Sequence, residues 1–202
     1  MRRAAALTLL SLLVGLPIVP ARSEEHARRS AAELMDVLMW NREPVGGPFR
    51  LVDHAGRTRT QDDFRGKLLI VYFGFTACPD ICPTDLMEIA RALTLLGQDG
   101  EAIQPIFITL DPERDTVAHL ADYVPSFHPR LIGLTGSREA IRQVADAYKV
   151  FFETVARPGG DTIDHSAFVY LMDRSGQYLG FFPPGTSAER MLTIIRPHLA
   201  RP

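Results

Sequence analysis

Two runs of consecutive apolar residues stand out near the middle of the chain, Leu68-Leu69-Ile70-Val71-Tyr72-Phe73 and Ile106 to Leu110. Neither alternates with polar residues, and both are rich in β-branched and aromatic side chains. Each therefore predicts a strand buried on both faces of a sheet. Between them Leu86, Ile89, Ala90, Leu93 and Leu96 keep helical spacing. Pro83 suits the first position of that helix, and Gly97 or Gly100 its end. Before the first run, Phe49–Asp53 and Arg57–Thr60 flank Ala55-Gly56, a hairpin signal. After the second run, residues 116–124 read as a helix stopped by Pro125. Leu131–Leu134 reads as a short strand, and Ser137 caps a helix running to about Tyr148. Val150–Val155 is an extended candidate, and residues 158–161 form a turn or loop. Ala167–Met172 and Tyr178–Phe182 flank the turn Asp173-Arg174-Ser175-Gly176, and Ser187 caps a last helix to about Leu199.

The order is hairpin, β-α-β, helix, then β-β-α. A β-α-β half followed by a β-β-α half is the thioredoxin arrangement. The fold class is therefore α/β, a thioredoxin-like fold with an N-terminal β-hairpin extension and an inserted helix, over residues 46–202. Residues 22–45 read as a linker with one short helix, opened by the capping box Ser30-Ala31-Ala32-Glu33 and followed by Leu34, Val37 and Leu38 on one face. Met35 and Met39, four apart, are soft metal donors, although packing on the domain explains them more simply.

The N-terminus has another character. Met1-Arg2-Arg3 is basic, Ala4–Val19 is a 16-residue apolar run, and Val19-Pro20-Ala21 supplies small residues for cleavage. This three-part pattern predicts an export signal over residues 1–21. The run is shorter than the roughly 20 residues of a comfortable membrane span, which favours cleavage; left uncleaved, it would tether the protein to the inner membrane. The formal net charge is -2, which gives no basis for binding nucleic acid. Composition is that of an ordinary globular protein.

Export makes the cysteines informative. The chain has two, Cys78 and Cys82, in Gly74-Phe75-Thr76-Ala77-Cys78-Pro79-Asp80-Ile81-Cys82-Pro83. The segment joins a buried strand to a helix. Strand ends gather ligands in α/β sheets, and a helix start favours negative charge. Both thiols are thus expected to ionise more readily than a free cysteine. Three intervening residues leave room to chelate one metal ion. A structural disulfide is the plainer alternative, but closing so short a loop stabilises the fold by only about 2 kcal/mol. Two inert, buried cysteines are the other, and a strand-to-helix corner argues against deep burial. Of the six histidines, His165 stands apart, in Asp164-His165-Ser166 before the apolar strand beginning at Ala167. In a thioredoxin-like fold the loop entering that strand faces the cysteine corner. By position His165 is as much a packing histidine as a ligand. Asp164 or Asp80 could orient it. Two thiolates and an imidazole suit Cu(I) and accept Cu(II); a structural zinc site normally takes four protein ligands.

The cysteine segment resembles the signature of Sco/SenC proteins. Asp111-Pro112-Glu113-Arg114-Asp115-Thr116, Gly133-Leu134-Thr135-Gly136, Asp164-His165 and Gly46-Gly47-Pro48-Phe49 resemble their other characteristic segments, in the expected order. The resemblance implies a periplasmic, thioredoxin-like protein holding one copper ion by Cys78, Cys82 and His165. It implies a role in building the dinuclear copper site of cytochrome c oxidase, as copper donor, thiol reductant or both. Its partners would be the copper-site subunit of the oxidase or another periplasmic copper chaperone. A membrane anchor is common in that family, whereas this signal looks cleavable. Three other readings use the same residues. A thiol–disulfide oxidoreductase needs the cysteines but not His165. A peroxiredoxin-like peroxidase is suggested by Phe-Thr-x-Cys-Pro, yet the second cysteine sits only four residues on. A redox or copper sensor would bind copper without delivering it.

Overall fold

In the computed structural model, residues 31–40, 43–158 and 160–199 are described. The expected export signal, the expected Ser30 cap and His26 lie outside them. The core is built on β3 (Leu68–Gly74) and its parallel neighbour β4 (Ile103–Thr109), every residue of which is buried. Their register runs unbroken from Leu68 opposite Ile103 to Gly74 opposite Thr109, so both strands end level, at the edge where the cysteine segment begins. Strands with no face to water must be covered on both sides, which accounts for the two uninterrupted apolar runs.

Around this pair the sheet takes the order β2-β1-β5-β4-β3-β8-β9. On one flank β5 (Ile132–Thr135) lies parallel to β4, and the hairpin β1 (Arg50–Asp53) and β2 (Thr58–Thr60) runs antiparallel to it. On the other, β8 (Val169–Met172) is antiparallel to β3 and pairs with β9 (Tyr178–Phe182). The halves β3-α2-β4 and β8-β9-α5 make the thioredoxin-like core, with α2 spanning Ile81–Leu96 and α5 Ala188–Leu199. The N-terminal hairpin and the inserted α3 (Val117–Tyr123) are both present. The Thr116 and Ser137 hydroxyls cap α3 and α4 (Arg138–Ala147) by accepting the His119 and Ala140 N–H groups. The linker helix α1 (Ala31–Trp40) buries Val37 and Leu38, and Tyr178 donates its hydroxyl to the Leu38 carbonyl.

Three features differ from expectation. β4 begins at Ile103, ahead of Pro105, because pairing with β5 starts only at Ile106; Pro105 stands where β4 has a single strand neighbour and its missing N–H is tolerated. α2 begins at Ile81, so Pro83 is its third residue, still within the first turn where an N–H has no intrahelical partner. Residues 152–165 form a separate antiparallel hairpin, β6 (Phe152–Val155) and β7 (Thr162–His165), outside the main sheet. His165 is therefore the last residue of a strand rather than part of a loop. Among the described residues, no helix is long and apolar enough to cross a membrane.

Asp53 anchors the N-terminal hairpin. Its carboxylate is fully buried and accepts the Ala55 and Arg57 N–H groups, each at 2.9 Å, and the Arg57 and Arg59 guanidinium groups at 3.0 and 2.8 Å. Burial alone would raise its pKa, but the Arg57 N–H, the Arg59 side chain and the other donors together hold it down at about 2. A lowered folded-state pKa contributes stability above the unfolded value and loses it as pH falls through the folded one. Urea unfolding should show Asp53→Ala losing about 2–4 kcal/mol at neutral pH. Wild type should lose stability between about pH 4 and pH 2, a loss that is smaller in Asp53→Asn, where only the other lowered carboxylates, Asp63 and Asp173, remain to contribute.

Candidate metal centre

The site begins where β3 stops. A Cβ on Gly74 would lie 2.9 Å from Cys82 Sγ, 3.1 Å from the Phe107 ring and 3.2 Å from the Tyr72 ring. Glycine here lets the first turn of α2 settle onto the strand ends. The chain then turns through Phe75 to Cys78, with the Cys78 N–H donating to the Phe75 carbonyl at 3.2 Å. Cys78 is half-buried and Cys82 fully buried; both are free thiols. Burial of Cys82 departs from expectation: it lies on the α2 face that carries Leu86, Ile89 and Leu93 into the core.

His165 closes the site from the other side. Its Nε2 is 3.6 Å from Cys82 Sγ, and its ring meets Phe75 edge-on at 6.0 Å between centroids. The Nδ1 lies 3.2 Å from the Ser166 carbonyl oxygen. A carbonyl can only accept, so Nδ1 carries a proton and Nε2 is the ring nitrogen turned toward the thiols. The orienting group is thus a backbone carbonyl. Asp164 points away to pair with Arg157 at 3.1 Å, and Asp80 is exposed at the start of α2. Cys78, Cys82 and His165 are neighbours rather than a closed cage: among the described residues, no three His, Cys, Asp or Glu side chains form a ready-made ligand set.

The two thiols are not equivalent. Cys78 is lowered to about 4, first by the hydrogen bond from Cys82, then, against the opposing effect of burial, by His165 and by the Asp80 and Cys82 N–H groups at the helix start. Cys82 is pushed far up, because it is the donor in that pair and because it is buried. The expectation of two easily ionised thiols holds for Cys78 alone.

The other histidines do different work. His54 and His128 accept the Gly133 and Arg130 N–H groups at 3.1 Å each, fixing turns. His119 lies 2.9 Å from the Thr76 hydroxyl, beside the cysteine segment but outside the trio. Three neighbours complete the site's surroundings; Asp85 and Tyr72 went unnoticed in the sequence, whereas Asp115 lies in the Asp111–Thr116 segment singled out there. Asp115, fully buried, accepts from Thr76 N at 3.0 Å and from the Thr76 and Thr109 hydroxyls at 2.5 and 2.6 Å. Asp85, also fully buried, accepts the Gly185 N–H at 2.8 Å, while its other oxygen has no partner; burial raises its pKa. Tyr72 buries a hydroxyl against Cys82 and Asp85. The available signal was polarity in the wrong place: Asp85 stands one turn after Cys82 on the apolar face, and Tyr72 interrupts an otherwise aliphatic and Phe run.

Comparison with known proteins locates this arrangement. A model of the SCO1/SenC family matches residues 39–200. A SCO2-like protein of Rickettsia prowazekii is 43% identical over 155 residues, covering 75% of this chain and 76% of its own. A mitochondrial SCO2 homolog of Bos taurus is 44% identical over 158 residues, covering 76% of this chain; the match spans 59% of the bovine protein. Among solved structures, copper-bound ScoI of Bradyrhizobium japonicum superposes with a TM-score of 0.71 at 39% identity, covering 76% of this chain and 99% of that one.

The thiol asymmetry can be tested without metal. Alkylation of the reduced protein at about pH 5–6 should modify Cys78 and spare Cys82. Cys82→Ala, which removes the donor, should raise the Cys78 pKa by about one to two units, read from the pH dependence of alkylation. Equal reactivity of the two thiols would contradict the geometry.

Proposed function

The chain belongs to the SCO1/SenC family, and on that premise we propose that it is an exported copper carrier that holds one copper ion with Cys78, Cys82 and His165. It serves assembly of the dinuclear copper site of cytochrome c oxidase, working in the periplasm, with the inner membrane as its location if the N-terminal segment is retained. The observation that carries this reading is the 3.6 Å between Cys82 Sγ and Nε2 of His165. Zinc-like bonds of about 2.3 Å to sulfur and 2.0 Å to nitrogen, at about 110–120°, would separate two donors on a shared ion by about 3.5–3.7 Å. Cys78, whose pKa is lowered by Cys82 and His165, supplies the third donor as a ready thiolate. Soft sulfur with imidazole is a donor set that suits Cu(I) and accepts Cu(II).

In this reading copper is the cargo. Cys82 and His165 form the buried half of the cradle, and Cys78 its exposed half. An acceptor's thiolates would first displace Cys78, the donor they can reach, and then draw the ion off Cys82 and His165. Binding requires Cys82 to release its proton, so copper affinity rises with pH.

The unequal thiols also support a second use of the same pair, reduction of an acceptor disulfide. The Cys78 thiolate attacks one acceptor sulfur, a mixed disulfide forms and one acceptor thiolate leaves. Cys82 then loses its proton and attacks the Cys78 sulfur, releasing the second acceptor thiolate. The acceptor gains two electrons and Cys78–Cys82 becomes a disulfide. The order is dictated by access: Cys78 reaches the surface and Cys82 does not.

Copper titration of the reduced protein separates the two uses. Carrier function is expected to give one copper per chain and a thiolate-to-copper absorption band. Cys78→Ser and Cys82→Ser should abolish the band, and His165→Ala should weaken binding by about 10- to 100-fold. A wild type that binds no copper but reduces protein disulfides through Cys78 and Cys82 would make the reductase its function.

A further inference from the structure

The three donors come from two chain segments that belong to different pieces of the fold. Cys78 and Cys82 lie at the end of the main sheet, whereas His165 ends a strand of the separate β6–β7 hairpin. The two meet directly where Phe75 packs on the His165 ring, and β8 follows His165 onto β3. The loop between β4 and α3, residues 111–115, adds a bond to each segment from adjacent residues.

Asp115 faces the cysteine segment. Its buried carboxylate takes both the N–H and the hydroxyl of Thr76, two residues before Cys78, and is itself steadied by the Thr109 hydroxyl at the end of β4. Since Thr76 gives its one hydroxyl proton to Asp115, it must accept from His119 Nε2, which ties in α3 as well. Arg114 faces the other way. Its Nη1 donates to the Asp161 carbonyl oxygen at 3.1 Å, immediately before β7, the strand that ends in His165. The Asp111 carboxylate pairs with the same guanidinium. The Asp115 N–H closes the loop on the Asp111 carbonyl at 2.8 Å, so the two arms cannot move far independently.

We propose that Arg114 and Asp115 are positioning residues that together set the separation of the cysteine pair from His165: Asp115 holds the cysteine segment, and Arg114 holds the strand carrying the histidine. The proposal rests on the reading of Cys78, Cys82 and His165 as copper ligands. It also divides their chemistry. Thiol–disulfide exchange needs the cysteine segment alone, so it depends on the Asp115 arm. Copper retention needs both arms. The Arg114 bond is half-exposed and its effect modest; the Asp115 bonds are buried and their effect larger.

The test uses the full mature chain with Arg114→Ala, Arg114→Lys, Asp115→Asn and Thr76→Val. The readouts are amide exchange of the metal-free protein, copper affinity, the Cys78–Cys82 thiol–disulfide equilibrium against glutathione, and thermal unfolding. Arg114→Ala should speed exchange at Ile163–His165 and weaken copper binding by about three- to tenfold, with the thiol–disulfide equilibrium unchanged. Arg114→Lys, which keeps a donor and the charge, should recover part of that loss. Asp115→Asn should shift both copper affinity and the thiol equilibrium. Thr76→Val, which removes the hydroxyl but keeps the N–H, should do the same to a smaller degree, and it decides the matter if Asp115→Asn fails to fold. The proposal falls if Arg114→Ala leaves exchange and copper unchanged, if it shifts the thiol equilibrium as much as copper binding, or if Thr76→Val alters neither. Should wild type bind no copper, the ligand reading falls instead. Exchange at Ile163–His165 and the thiol equilibrium then decide the brace.

Discussion

Everything in this molecule is arranged around the double burial of β3. Seven consecutive residues without a solvent face force cover on both sides, and that cover is the fold: helices packed over a sheet extended on either edge. The same constraint makes the site. β3 must end, it ends level with β4, and Gly74 brings the chain into α2 with Cys82 pressed against the strand ends. A sulfur that elsewhere would be a small apolar core residue is thereby held at the boundary of core and surface, one helical turn from a sulfur that reaches water.

That placement separates the two thiols by environment although they share a segment. Both stand at a helix start, where N–H groups favour an anion. The benefit goes to Cys78, because burial disfavours charge on Cys82 and because Cys82 stabilises its neighbour by donating to it. One thiolate and one thiol is the economical state for a pair that cannot both be charged in a confined space. His165 is set by an unrelated device, the Ser166 carbonyl that takes its Nδ1 proton. The ionisation of Cys78 and the orientation of the His165 ring thus depend on one helix start and one backbone carbonyl, neither of which carries a formal charge.

What could be read from the sequence follows from range. Strands buried on both faces, capped helices and tight turns are written locally, so β3, β8, β9, α4 and α5 were recognisable from run length, caps and turn residues. The cysteine pair was equally plain, because its spacing is local. The β6–β7 hairpin was half legible: Val150–Val155 was an extended candidate and residues 158–161 a turn, but β7 was missed, because Thr162–His165 has a single apolar residue and pairs with nothing in the main sheet. His165 could be singled out by position but not oriented, since its partner is a carbonyl and carbonyls leave no mark on sequence. Asp164 was the reasonable guess for that role, and the nearby Arg157 draws it away. The difference between Cys78 and Cys82 was also hidden, because it depends on which of them α2 turns inward.

Asp115 and Asp85 illustrate the remaining distance between pattern and chemistry. Acidic residues in a sequence read as solvated by default, and in most positions that is right. Here two carboxyl groups are fully buried within reach of the cysteine segment, with opposite accounts of how they are tolerated. Asp115 is saturated by donors, one from the backbone of a residue 39 positions earlier. Such a group can be buried because its lone pairs are spoken for. Asp85 has one oxygen satisfied and one bare, and its pKa is raised, the response expected when burial outweighs hydrogen bonding. A buried carboxyl that is fully bonded works as a structural joint, and that is the character of Asp115. One that is half-bonded beside a buried tyrosine hydroxyl and a buried thiol keeps a site polar where packing alone would have made it apolar. The floor of this centre is therefore a compromise between the core, which the strands require, and the proton chemistry that a thiol needs if it is to become a ligand.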